Sequence, residues 1–197
     1  MKNRTNASAN CARLLRFQKQ IAHRWYRRAQ DFDDPFVRFF FYFSGFNALY
    51  FAWAKADDLK NDEGRMVRED LQIENLLGKF NSGEARELLR QLNPAIEFFS
   101  SRRPVQRMDK RTCHRFDKGE AREGRGARER LASSSPVDQL AALGKILYLV
   151  RCNLVHGSKA EMGDDERIIE ASIGPLELLL EIAIDFTEKQ LSFNTGY

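Results

Sequence analysis

Two residues near the end of one apolar segment carry chemistry worth following, Arg151 and His156 in the stretch VRCNLVHGSK. A guanidinium is permanently charged, and its planar fork of donors clamps a phosphate bidentately. An imidazole gives and takes a proton near neutral pH. Together they are the parts of acid–base chemistry at a phosphate ester: a group to move protons and a group to hold charge against the phosphoryl oxygens. A plainer pairing stays open beside it. Arg151 can neutralise Glu177 or Glu181 of the last helix, and His156 can cap a carbonyl end.

The element that must position them spans residues 135–159. Ser135 is placed to cap the first free amides, Pro136 presets φ at the first helical position, and Asp138 puts negative charge in the first turn. Gly157 is a left-handed stop. At about 100° per residue, Leu140, Leu143, Leu147, Val150 and Leu154 fall on one stripe. Ile146, Tyr148, Leu149 and Val155 make much of the remaining surface apolar, so the helix is expected to be buried on most sides. Arg151, four residues after Leu147 and three before Leu154, is expected to point its Cβ into that stripe near Gly144. There it needs an acidic partner, an anionic ligand or a second subunit. Five residues along an ideal helix are about 140° of rotation, so Arg151 and His156 diverge on one straight helix. Either the helix ends at His156 and turns it back, or two copies of the motif complete one site.

The Arg-x4-His pair closing a buried helix resembles the signature of the HEPN superfamily, all-α bundles that include RNases, toxins and antiviral effectors. The aromatic FNALYFAW segment is similar to the early helix of some bacterial members. The resemblance implies an up-and-down helical bundle, a symmetric homodimer, and metal-independent RNA cleavage in a cleft between protomers, with Arg151 and His156 as catalytic residues. A two-fold dimer sets two copies of one helix end face to face, so one motif supplies two arginines and two histidines. The position after the arginine is usually polar in the family; it is Cys152 here, with Asn153 one place later as a candidate accessory group. Ser158 stands where toxins modified by a partner nucleotidyltransferase carry a tyrosine. An antitoxin or operon partner is a further implication.

The rest of the chain reads as helices around this one. Residues 7–30 form an amphipathic basic helix, with Leu14, Phe17, Ile21, Ala22 and Trp25 at helical spacing. Asp33, Asp34 and Pro35 announce an aromatic helix over 36–56, the expected centre of the core. Within it Ser44 and Gly45 would let another helix approach closely. Asn47 either hydrogen-bonds inside the core or faces a site as an accessory polar group. A loop at 57–64 precedes a helix at 66–80, on which Glu69, Asp70 and Glu74 read as a solvated face. Two short helical pieces, 83–92 and 94–99, are expected to break at Asn93-Pro94. Residues 160–166 read as an acidic turn and 167–173 as a strand or helical turn; Gly174-Pro175 opens a last helix at 176–191. With no hairpin or βαβ pattern, the fold class expected is all-α, as a single domain over 1–197.

Charge adds a second functional signal. The chain of 197 residues carries +4 overall, but residues 1–30 hold +8 and 102–130 hold +6, leaving −10 elsewhere. Two basic segments on an otherwise acidic chain suit a polyanion, RNA or DNA being the obvious class, and with the family resemblance RNA is the expected partner. Residues 102–134, rich in charge and poor in large apolar groups, are expected to form an exposed, partly disordered insertion. Its Arg102, Arg103, Arg107, Lys110, Arg111 and Arg115 are candidate RNA contacts. Three cysteines are too few and too scattered for a disulfide framework or a zinc site, and Cys113-His114 lacks partner spacing. No metal or other cofactor is therefore expected. Residues 1–10 lack the apolar core of a signal peptide, and no run approaches the roughly 18 apolar residues of a spanning helix. A cytoplasmic protein with no membrane partner is expected. Two rivals to the nuclease remain: a non-catalytic module of the same fold that binds RNA, a nucleotide or a protein, and a structural or adaptor dimer.

Overall fold

The computed structural model describes residues 2–101, 122–155 and 164–193. Among them the chain forms seven helices and no strand: α1 (Lys2–Gln30), α2 (Pro35–Ala56), α3 (Glu69–Leu77), α4 (Ser82–Ser101), α5 (Arg122–Arg130), α6 (Pro136–Val155) and α7 (Asp164–Phe193). The all-α expectation holds for these residues, and among them no helix is long and apolar enough to cross a membrane. They cluster into two compact units, Met1–Leu76 with Leu176–Tyr197, and Leu77–Pro175.

The first unit is organised by α2. Asp34 accepts the Val37 amide at 2.9 Å and Pro35 occupies the first turn, so the helix starts where its cap residues place it. α1 packs antiparallel on α2: Ala22 meets Gly45, Trp25 stacks on Phe41 at 5.2 Å, and Tyr26 lies 5.7 Å from Tyr42. Gly45 is what allows this approach, since a Cβ there would stand 3.2 Å from the Ala22 carbonyl and 2.9 Å from Leu180 Cδ2 of α7. Phe39, Tyr42, Phe46, Leu49 and Tyr50 are wholly buried. The Trp53 indole N–H is satisfied there too, donating to Thr187 Oγ1 at 3.0 Å, and that hydroxyl donates to the Ala183 carbonyl at 2.7 Å.

Between α2 and α3 the chain makes a turn closed by Asn61, whose carboxamide oxygen accepts the amides of Glu63 and Arg65, with Gly64 at φ +73. A single antiparallel bridge joins Lys60 and Met66, which takes Met66 out of the helix expected at 66–80. α3 also corrects the reading of its acidic face. Asp70 is 2% exposed, and Arg68 grips it with two hydrogen bonds of 3.1 and 2.6 Å. The guanidinium two residues earlier in the chain is what makes burial of this carboxylate tolerable.

In the second unit α4, α5 and α6 pack on one another. α4 corrects the expected break at Asn93-Pro94: it runs unbroken with Pro94 inside. Asn81 caps it through the Gly83 and Glu84 amides, and Glu84 returns a bond to the Asn81 amide. Leu88, Leu92, Ala95 and Phe99 keep helical spacing across the proline and are all buried. The expected insertion is likewise corrected over 122–130, which is helix, with Ala127 and then Leu131 buried. α7 passes unbroken through Pro175, so the turn and the separate helix expected around Gly174 are one element.

Candidate functional site

α6 begins as its sequence dictates. The Asp138 amide donates to Ser135 Oγ at 3.3 Å, the Gln139 amide to the Ser135 carbonyl, and the Gln139 side chain to the Leu131 carbonyl at 2.9 Å. These bonds fix the rotational setting of the helix, and with it the direction of every later side chain. Leu140, Leu143, Ile146, Leu147 and Val150 are wholly buried. Lys145, Tyr148, Arg151 and Cys152 are half-buried, and at about 100° per residue they share an arc of roughly 120°.

Arg151 therefore lies at the margin of the apolar stripe, not inside it as its spacing from Leu147 and Leu154 suggested. Asn153 is 8% exposed and about 200° further round, on the buried side of α6. The structure does not bring it together with Arg151. Cys152, half-buried with a free thiol, shares the arginine's side. His156 and Gly157 lie outside the described residues, as do Ser158, the turn at 160–163 and all six basic candidates, Arg102, Arg103, Arg107, Lys110, Arg111 and Arg115. Among the described residues no three His, Cys, Asp or Glu side chains are grouped to hold a metal ion.

Asn47, the other candidate accessory residue, is half-buried on an outward strip of α2 shared with Phe40 and Phe51, not inside the aromatic core. It belongs to the first unit and Arg151 to the second.

One polar constellation was not foreseen. Tyr42, wholly buried, donates to Glu177 Oε1 at 2.7 Å; Arg38 reaches Glu177 Oε2 at 3.8 Å and lies over the Tyr42 ring, 5.9 Å from its centroid. Burial pushes the Tyr42 hydroxyl up to about 12, and its bond to Glu177 adds to that. Tyr26 beside it is raised as well, first by burial and then by Glu181 and Glu177. At neutral pH such a hydroxyl is a fixed donor, not a base or a nucleophile. Glu177 thus has a tyrosine and an arginine of its own unit to hold. Arg38 and Tyr42 stand four apart within a mostly apolar helix, which is the available sequence signal; the identity of their partner is legible only with α7 in place.

No protein-family model, curated protein or solved structure matches this chain.

Proposed function

We propose that the protein is a homodimeric, metal-independent endoribonuclease of HEPN type, acting in defence or growth arrest within the cytoplasm. The observation that supports this reading is the position of Arg151: half-buried, just before the last turn of a capped helix whose other sides are core, five residues before His156. A half-buried arginine near the end of a rigid helix can present its planar fork of donors to an anionic ligand. In the proposed reaction His156 moves the proton of the ribose 2′-hydroxyl or of the leaving 5′-oxygen, and Arg151 holds charge against the phosphoryl oxygens. Two copies of each residue, one from each protomer, divide the acid and base roles.

The direct test is cleavage of single-stranded RNA in EDTA by purified protein. His156→Ala and Arg151→Ala are each expected to lower the rate at least 100-fold, the usual scale of a lost acid–base or oxyanion-stabilising group. Undiminished cutting by His156→Ala, with contaminating nuclease excluded, overturns the assignment. The second reading, a non-catalytic binding module, draws on Cys152, which stands where the family usually has a polar group, and on Asn153 being turned to the buried side. It expects RNA binding with no cleavage by any variant.

A further inference from the structure

α1 carries a surface that the Arg151 motif does not account for. Its sequence from Lys2 to Gln30 contains no acidic residue. Arg13, Arg16, Phe17, Gln20, Arg24 and Arg27 are all exposed, and at about 100° per residue they fall within an arc of roughly 100°. The four arginines lie along 15 residues, Arg13 to Arg27, about 21 Å of helix. Among the described residues none of the four makes an ion pair or a side-chain hydrogen bond. Their neighbours show what neutralised cations look like on the same helix: Lys19 is bound to Glu188, and Arg28 to Asp31 with its guanidinium over Phe32. The arginine row is thus a stripe of uncompensated charge on a rigid rod, held from behind by the packing of Ala22 and Trp25 on α2.

Phe17 lies between the two arginine pairs along the axis and at one edge of the arc, 57% exposed. A single exposed aromatic among four arginines matches the way single-stranded nucleic acid is held without sequence preference: cations track the backbone phosphates and an aromatic face stacks one unpaired base. An acidic membrane is a poorer fit. An interfacial helix buries a broad apolar face to a depth of about 5–10 Å. Here Leu15, Ala22 and Ala29 are buried and Leu14 and Ile21 half-buried, so Phe17 is the one large apolar side chain α1 leaves exposed.

We propose that the outward face of α1, Arg13, Arg16, Arg24 and Arg27 around Phe17, is a docking track for single-stranded RNA. The choice of RNA over DNA rests on the nuclease reading; the charge and stacking argument stands without it. The track works by neutralising phosphates, so it is salt-dependent and tolerant of sequence.

The test is fluorescence anisotropy of a labelled oligo-uridine strand with the full-length His156→Ala protein, so that the strand is not cut. Measurements are made in EDTA at ~50 and ~200 mM salt. Replacing all four arginines by glutamine is expected to remove about four phosphate contacts. Over that salt range these contacts account for a roughly 50-fold fall in affinity, at a slope of about −0.7 per contact. Replacement by lysine keeps the charge and is expected to keep most of that slope. Phe17→Ala is expected to weaken binding about tenfold with the slope unchanged. All five substituted positions are exposed, so circular dichroism should show the same helix content in each variant. Unchanged binding by the glutamine variant overturns the track, as does equal weakening by lysine and glutamine. Tighter binding of an oligo-deoxythymidine strand, or binding to phosphatidylserine vesicles but not to RNA, also overturns it. Cleavage assayed in parallel with otherwise wild-type protein separates the two proposals. Cutting with no effect of the α1 variants on binding removes the track and leaves the nuclease; α1-dependent binding with no cutting does the reverse.

Discussion

Tyr42 shows how much a single hydroxyl reports about its surroundings. It is wholly buried, its proton is committed to Glu177, and it ionises only near pH 12 instead of near 10. The sign of the pH effect follows. Below about pH 10 the hydroxyl is protonated in both folded and unfolded chains, and its contribution to stability is complete. Between about 10 and 12 the unfolded chain loses the proton while the folded chain keeps it, so stability falls with rising pH across that window. Tyr42→Phe should remove this alkaline dependence. It also leaves Glu177 without its 2.7 Å donor, at a cost of about 1–2 kcal/mol at neutral pH. Denaturant unfolding at pH 7 and pH 11 measures both; equal alkaline loss in the two proteins would show that Tyr42 is not the group responsible. The same cluster shows a limit of reading residues singly. Glu177 was a candidate partner for Arg151 on type and position alone, whereas its bound neighbours, Tyr42 and Arg38, both come from α2.

Elements were legible in the sequence where their signals were local. Asp34-Pro35 and Ser135-Pro136 mark the starts of α2 and α6, because capping is decided within one turn. The prolines of α4 and α7 signal breaks that the structure does not have, because their outcome is decided elsewhere in the fold. An interior proline costs about 3 kcal/mol. α4 offsets it by keeping Leu88, Leu92, Ala95 and Phe99 buried on one stripe across Pro94, each large side chain contributing about 1.5–3 kcal/mol. The rotation of α6 was legible to within a fraction of a turn, but not the depth of Arg151, since depth depends on what packs beside the helix. Gly45 tests packing at this scale. Helix propensity alone favours Gly45→Ala by about 1 kcal/mol. The added methyl must however displace Leu180, 2.9 Å away, and press on the Ala22 carbonyl and Trp25 Cβ, both at 3.2 Å. Overpacking of this kind costs about 1–3 kcal/mol, so a net loss of roughly 1 kcal/mol is expected, and a larger one for Gly45→Val. A thermal melt in which Gly45→Ala gains stability would mean that α1 and α7 yield more readily than close packing allows.

At the scale of the whole molecule the proposed dimer needs a surface, and the outward strip of α2 suits a second copy of itself. Phe40 is 51% and Phe51 37% exposed, and 11 residues along a helix return to within about 20° of the same direction. Ser44, Asn47 and Ala48 lie between them, half-buried, with Lys55 exposed at the far end. Phe40 and Phe51 stand equally far from the midpoint of Ser44 and Asn47. Two antiparallel copies related by a two-fold axis at that midpoint therefore set each Phe40 against the partner copy's Phe51 and each Ser44 against its Asn47. The small residues at the centre let the helices close, the hydroxyl meets a carboxamide, and Lys55 comes beside the acidic start of the other α2, where Asp33 and Asp34 are exposed. Such an axis would make Asn47 an interface residue, not an accessory of the Arg151 motif. One helix pair is a modest interface, so the dimer should dissociate on dilution, and buried aromatic anchors should dominate its affinity. Phe40→Glu with Phe51→Glu is expected to weaken association at least 100-fold without loss of helix, because both side chains are already partly in water. Sedimentation equilibrium over a dilution series measures this. A wild-type chain that stays monomeric throughout removes both the interface and the composite site that needs two protomers, while a dimer insensitive to the double substitution keeps the composite site and moves its axis off α2.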